Sequence, residues 1–388
     1  MTGTEAVLLT GATGLVGAEV AARLLAAGRE VIAVRHTTSR ILRNDGTVLD
    51  GVHAVPGDIR RPGLGLTPGT DTAGNVMPDG VVDGHRVGVI VHSAAITAFD
   101  ATDSEYEELN VRATAHAVEL AQTWNVPLVY VSTAYVCGMQ GGTIPEAALD
   151  GGSGFGNRYE DSKFRAERLV RGAGGLRWVI VRPGIVTGAT GTGQVRDFKN
   201  LYTVVKLIVE GKLRVLPGRY DATIALAPVD HVADVITTAT LNVDTTSGQT
   251  FHALGRDGLS LREVSDVLAE YPSFRVATFV PESTFTAEDL DPLQREYFHR
   301  IGALYTSYFQ RRPVFATANA DALLGRSSPA TGKDYLRLVL DYCLESGYLG
   351  TPLPTVSDVL ARYTQPPKGN GVAASRGTGD DRNLGGVL

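Results

Sequence analysis

The chain has 388 residues, enough for one large domain or two joined ones with a sizeable core. Apolar residues make up 43%, charged residues 20%, and the formal net charge is -6, a balance that argues against the basic footprint of a nucleic-acid binder. The two cysteines, Cys137 and Cys343, are too few and too far apart for a disulfide scaffold or a structural zinc, so no metal site is expected.

The amino terminus runs directly into a strand and a glycine turn, leaving no room for a signal peptide. No apolar run approaches the ~18 residues that span a bilayer, and a cytoplasmic protein is expected. Ala6 to Thr10 reads as a strand, Leu15 to Ala27 as a helix, Val31 to Arg35 as a second strand and Gly51 to Pro56 as a third. Residues 60–86, dense in Gly, Pro, Asp and Thr, read as an inserted surface loop. Val87 to His92 is a near-continuous apolar run, the pattern of a strand buried on both faces. A long helix follows from Asp103 to Trp124, then a strand from Leu128 to Ser132, a charged and partly exposed helix from Arg158 to Arg171, and a strand from Trp178 to Arg182.

Beyond that point the rhythm loosens. Arg196 to Gly211 and Asp230 to Leu241 read as amphipathic helices, Ser260 with Glu263 as a capping box for a helix to about Glu270, and Lys333 to Ser346 as a further helix with an apolar stripe. The alternation of strands and helices predicts an α/β fold with a Rossmann-type, doubly wound parallel sheet over residues 1–190. Residues 226–257 are expected to return to that sheet, and 191–225 with 258–364 to form a smaller, mainly helical C-terminal substrate-binding region. Residues 365–388 are too poor in large apolar side chains to fold and are expected to be a disordered tail.

Between the first strand and first helix the chain reads TGATGLVG, a G-x-x-G-x-x-G turn. Gly11 permits the tight turn, Gly14 lets backbone approach a pyrophosphate, and Gly17 allows the helix to pack close to the strand. A glycine motif alone is weak, but strand before and helix after is the context that makes it a dinucleotide site. Gly11, Thr13, Gly14, Leu15, Val16 and Gly17 are the expected contacts. An acidic residue that would hold a ribose 2′-hydroxyl is missing after the second strand, which ends in Arg35 with Arg40 close behind. Two arginines there suit a 2′-phosphate, so NADP(H) is favoured over NAD.

Tyr159 and Lys163 stand at i and i+4, on one face of a helix. A lysine ammonium favours a phenolate, which lets the tyrosine exchange a proton with a carbonyl oxygen. Taken alone such a pair is a common exposed helix pair; downstream of a dinucleotide turn and a buried strand ending Val131-Ser132-Thr133 it reads as a catalytic pair.

The ordered set TGATGLVG, GDI at residues 57–59, His92-Ser93-Ala94-Ala95, Asn110-Val111, VSTAYVCG, NRYEDSK and Arg182-Pro183-Gly184 resembles the extended short-chain dehydrogenase/reductase superfamily over residues 5–190. The resemblance implies that Asp58, with Ile59 beside it, meets the adenine, that Ala94 lines the cofactor groove, and that Pro183 and the backbone after it, to Ile185, pack near the nicotinamide. It also implies a catalytic hydroxyl at Thr133, with Ser132 the weaker candidate. Within the superfamily, VSTAYVCG, Asn157, the RPGIVTGATGTGQVRDF run, Pro228-Val229-Asp230-His231-Val232 and YLRLVLDYCLESGYL look most like the fatty acyl-CoA reductase and thioester reductase branch. The expected activity is NADPH-dependent reduction of a CoA- or carrier-bound acyl thioester to an aldehyde, with a further step to the alcohol open. An acyl or peptidyl carrier protein is then the implied partner, and a homodimer is left open.

Leu201, Val204, Val205, Leu207 and Ile208 suggest an apolar wall for the substrate, though core packing accounts at least as well for any one of them; Phe298, Tyr305, Tyr308 and Phe309 form an aromatic stripe that could line an acyl channel, with core or dimer contact the better reading. His92 and His231 are given no catalytic role. Three rival readings stand beside the main one: a nucleotide-sugar epimerase or dehydratase, a reductase of free aldehydes or ketones, and a non-catalytic cofactor sensor.

Overall fold

The computed structural model describes residues 5–37, 40–68, 81–82 and 86–350. The expected tail at 365–388, the end of the expected substrate region at 351–364 and most of the 60–86 loop lie outside the described residues.

Seven parallel strands form the central sheet: β1 (Ala6–Thr10), β2 (Val31–Arg35), β3 (His53–Pro56), β4 (Val87–His92), β5 (Leu128–Val131), β6 (Trp178–Pro183) and β7 (Thr250–Ala253). Their order is β7-β6-β5-β4-β1-β2-β3, so the chain winds outward from β1 in one direction and then, from β4, in the other. Side chains alternate across each strand, which sorts the apolar residues into two layers. Val7, Leu9, Val89, Val91, Val129 and Val181 pack with helices α1 (Leu15–Ala26) and α6 (Val229–Leu241). Ala6, Leu8, Ile90, Tyr130 and Ile180 pack with α3 (Ala113–Thr123) and α4 (Arg158–Gly172) on the opposite face. Both faces are thus covered, and the near-continuous apolar runs seen in the sequence follow from that.

The helix expected over Asp103–Trp124 is continuous but not uniform. A short α2 (Asp103–Tyr106), capped reciprocally by Thr102 and Glu105, passes into a π-helical turn at Glu107–Arg112 before α3 begins. Within the 60–86 loop the described parts are a 3-10 turn at Pro62–Gly65 and a two-residue parallel pair, Thr67–Pro68 with Val81–Val82. The helix expected from Arg196 starts later, as α5 (Leu201–Val209). The cause is tertiary: Arg196 is tied by its backbone N–H to the Asn44 Oδ1 and by its guanidinium to the carbonyls of Leu42 and Thr13, and Asn200 takes φ 52° ahead of the first turn. These ties hold the segment out of helical geometry despite its periodicity.

A third apolar core lies in the smaller, mainly helical C-terminal region, where α5 packs with α7 (Leu261–Ala269), α8 (Pro292–Arg300) and α9 (Lys333–Glu345). The expected capping box is present: Ser260 accepts from Glu263 N–H while the Glu263 carboxylate accepts from Ser260 N–H. Among the described residues, no helix is long and apolar enough to cross a membrane, and no group of three or more His, Cys, Asp or Glu is placed to hold a metal.

Candidate active site

The reversal of strand order between β1 and β4 opens a crevice at their carboxyl ends. Thr10 closes β1 and bridges to the neighbouring strand end: its hydroxyl is hydrogen-bonded to His92 Nδ1 at 2.8 Å and accepts from Ala94 N–H at 3.2 Å. Gly11 takes φ +76°, and a Cβ there would fall 2.7 Å from the Ala94 nitrogen. At Gly17 a Cβ would fall 2.1 Å from the Gly11 carbonyl oxygen, so a larger residue would push α1 off β1. Gly14 is the N-cap of α1, contributes no side chain, and no acidic residue occupies the first turn. The helix therefore presents unsatisfied N–H groups and its positive end to the crevice.

A cavity of about 490 Å³ runs from this turn along the sheet. Gly11, Thr13, Gly14, Leu15, Val16 and Gly17 line one end; Thr133, Tyr159, Lys163, Pro183 and Ile185 line its middle. The other expected cofactor residues are placed elsewhere. Arg35 closes β2, Arg40 is exposed beyond it, and Ile59 offers its carbonyl to His116. Ala94 packs on Gly11 through its backbone. Asp58 belongs to a separate charged cleft with Arg60, Arg61, Glu108 and Arg112. Its carboxylate accepts from Arg60 Nε at 2.9 Å and Nη2 at 2.8 Å, and this pairing holds it down to about 2.

The three candidate catalytic side chains come from different elements. Thr133 follows β5; its hydroxyl accepts from Tyr135 N–H at 3.3 Å and donates to the Pro183 carbonyl at 3.4 Å. Ser132, the alternative, donates to Glu167 Oε2 at 2.9 Å and is committed there. Tyr159 lies in the first turn of α4, where Asn157 caps the helix by accepting from Glu160 N–H at 3.0 Å. Burial pushes its phenol above the usual range, and the Thr133 hydroxyl pulls against that shift.

Lys163 is 2% exposed, donates to the Val131 carbonyl at 2.8 Å and stands 4.4 Å from the centre of the Tyr130 ring. Burial pushes its amine down to about 7, with Glu167 one turn along acting in the opposite sense. Glu167 is buried too, yet Arg182 and Arg171 hold it ionised: Arg182 Nη2 donates to it at 2.5 Å and Arg171 Nε at 2.9 Å. The helix read from sequence as charged and partly exposed thus turns a charged face inward. His92 is pushed down to about 3 by its burial, with the Lys163 charge adding to the effect, and is neutral.

These features fit a nicotinamide dinucleotide: an uncapped helix end for the pyrophosphate, and a buried amine whose one hydrogen bond among the described residues leaves further N–H groups for a ligand. Past Tyr159 the cavity turns apolar. Phe99, Leu201, Val204, Ile224, Tyr305 and Tyr308 line it, with Phe99 5.8 Å from the Tyr159 ring and 5.1 Å from that of Tyr305. Phe298 does not join them; it packs on Phe285 at 4.8 Å in the C-terminal core. Phe99 carried no sequence signal beyond its position seven residues after the end of β4. Arg311, which backs Tyr308 and reaches Glu160, carried none.

A family model described as male sterility protein matches residues 9–236, more than half of the chain. The chain is similar to the L-2-aminoadipate reductase large subunit of Penicillium chrysogenum, 26% identical over 92% of this chain and 28% of that protein. It spans 19% and 28% of the length of the first two curated relatives it matches, and as little as 5% of another. Among solved structures it is similar to the terminal R domain of the myxalamid PKS-NRPS pathway, with a TM-score of 0.73, 23% identity, and coverage of 90% of this chain and 93% of that one. It also resembles a thiolation-reductase di-domain of an archaeal non-ribosomal peptide synthetase, with a TM-score of 0.65, 18% identity, and coverage of 89% and 76%.

Proposed function

The chain belongs to the male sterility NAD-binding family, the fatty acyl-CoA reductase and thioester reductase branch of the extended short-chain dehydrogenase/reductases, and from this premise we propose that it reduces a carrier- or CoA-bound acyl thioester to an aldehyde with NADPH. That it is a nicotinamide-dependent oxidoreductase follows from the family; the substrate, the phosphate on the cofactor and the residue roles are the proposal. The observation that carries it is the convergence of Thr133, Tyr159 and Lys163 on the cavity that begins at the glycine turn.

When bound, the reduced nicotinamide supplies a hydride. Thr133 and Tyr159 donate hydrogen bonds to the substrate carbonyl oxygen and stabilise the charge that develops on it. Tyr159 passes its proton to that oxygen, and the Lys163 ammonium favours the phenolate left behind. The product of this step from a thioester is a hemithioacetal, whose collapse breaks the C–S bond and releases aldehyde and thiol. The same residues could then serve the aldehyde in a second reduction. Arg35 and Arg40 would meet the 2′-phosphate, Asp58 and Ile59 the adenine end, and Ala94, Pro183 and Ile185 the walls of the cofactor groove. Residues 191–225 and 258–364 would select the substrate, a reading supported by Leu201, Ile224, Tyr305 and Tyr308 in the cavity wall. The named relatives include a reductase and a thiolation-reductase di-domain, which supports delivery of the acyl group by a carrier protein.

The decisive experiment follows NADPH and NADH oxidation with octanoyl-CoA, octanoyl-carrier protein and octanal, and identifies the products. Octanal formed from either thioester, faster with NADPH, is the expected result. Consumption with free octanal alone would remove the thioester chemistry, and equal use of NADH would remove the role of the two arginines.

A further inference from the structure

The groups that perform the proposed reaction leave a buried cation behind them without a task. Arg311 lies between the helical turn Gly302–Phe309 and the strand Pro313–Phe315 and is 3% exposed. Its Nη1 donates to the Gly138 carbonyl at 2.6 Å and to Glu160 Oε2 at 3.0 Å, while Nη2 donates to Glu160 Oε1 at 2.5 Å. The guanidinium also stands 4.7 Å from the centre of the Tyr135 ring and 4.5 Å from that of Tyr308.

Each of these partners belongs to a different part of the site. Gly138 closes the short turn that Thr133 opens. Glu160 follows Tyr159 and also accepts from Gly156 N–H at 3.0 Å and Asn157 Nδ2 at 3.3 Å, so its carboxylate gathers the start of α4. Tyr135 and Tyr308 are cavity walls, and Tyr135 is fixed from behind by Ala225 N–H at 3.1 Å. Any desolvated arginine needs partners for its N–H donors, so what singles this one out is where those partners sit; its Nε has no hydrogen-bond partner among the described residues. This one holds a carboxylate in bidentate fashion and spends its remaining contacts on the Thr133 turn and the substrate wall.

We propose that Arg311 is a positioning residue, locking the Thr133 turn, the first turn of α4 and the aromatic substrate wall into one register and neutralising Glu160 beside the proton donor. The assignment rests on Tyr159 acting as that donor. The titratable and charged groups that face the pair are Tyr135, Tyr308 and Cys137 around the guanidinium, Arg182 beyond Cys137, and Tyr106 on the Tyr159 side, while Lys163 lines the same cavity as Tyr159. The Glu160 charge pushes the Tyr159 phenol upward, in the same direction as its burial.

The test compares Arg311→Met, Arg311→Lys and the double variant Arg311→Met with Glu160→Gln, in the full chain, with saturating NADPH and either octanal or octanoyl-CoA. Arg311→Met lowers kcat/KM about 100-fold, chiefly through kcat, because the donor and Thr133 lose their mutual register. It also moves the alkaline limb of the pH profile upward by about one pH unit, since a bare carboxylate favours the protonated phenol. In the double variant the limb returns to its original position while turnover stays low. Backbone amides at 135–138 and 157–163 exchange hydrogen faster in both variants, and those at 11–17 do not change.

An Arg311→Met profile and exchange pattern like the parent's would overturn the proposal, as would a double variant whose limb stays where Arg311→Met left it. Should Arg311→Met fail to fold, the double variant, with no unpaired buried charge, and Arg311→Lys decide the matter by the same readouts. A parent protein that reduces neither substrate defeats the proposed function instead, and the exchange comparison then judges the lock by itself.

Discussion

At one end of the cavity a single stretch, Gly11 to Gly17, lines the wall, and its three glycines bring backbone to that wall: N–H groups at a helix start, with Gly11 and Gly17 where a side chain cannot fit. At the other end the wall is assembled from side chains far apart in the chain, Phe99 from beyond β4, Leu201 and Val204 from α5, Ile224, and Tyr305 and Tyr308 from the C-terminal region. A backbone-built end recognises what every dinucleotide shares and tolerates little change. A side-chain-built end can be altered one residue at a time without disturbing the sheet, so it is where a substrate preference can be adjusted.

The sharpest way to break that contrast is at the junction. Tyr159→Phe removes the proton donor and leaves the cavity walls in place; kcat/KM falls by roughly 10³-fold while NADPH affinity, measured by fluorescence titration, stays within about twofold. Retained turnover would show that the proton comes from elsewhere. A smaller effect separates the two ends. Leu201→Ala enlarges the apolar wall and shifts the preference among acyl chain lengths by roughly tenfold, read as a ratio of kcat/KM values for hexanoyl and decanoyl substrates. NADPH affinity is unchanged in that variant; a parallel loss of cofactor binding would mean that the ends are not independent.

The smallest expected effect concerns a proton. Lys163, held near 7 by burial in the free protein, is mostly neutral at pH 8. Cofactor phosphates and ribose hydroxyls favour the ammonium, so binding at pH 8 takes up a proton. NADPH affinity declines as pH rises above 7, because the free protein then has to gain that proton to bind. Calorimetry at pH 8 in buffers of different ionisation heat measures the uptake, and Lys163→Met abolishes it. Equal heats in all buffers would sink the idea.

The same contrast explains what could be read in advance. Gly11, Gly14 and Gly17 are spaced by one local turn, and Tyr159 and Lys163 by one helical turn, so local periodicity reveals both. The strands of the Rossmann half announce themselves because burial on two faces makes them apolar throughout, as in Val87–His92. The periodicity of helix α5 extends back to Arg196, but Arg196 answers to Asn44, Leu42 and Thr13, contacts that no window around residue 196 contains. Glu160 and Glu167 lie on a helix, α4, whose charge pattern reads as partly exposed, since an inward carboxylate is recognised only when its arginine is known. One of those arginines, Arg182, sits in a neighbouring strand; the other, Arg311, lies 151 residues beyond its partner.

That separation has a consequence in time. At a synthesis rate of about 5–20 residues per second, Arg311 is made roughly 8–30 s after Glu160. By then every strand of the central sheet, ending with β7, has already been made. The nascent Rossmann half can therefore assemble its cofactor turn while the start of α4 still carries an unanswered carboxylate. On the role proposed for Arg311, reductive competence waits for a segment made after the sheet is complete, so a later part of the fold arms an earlier one.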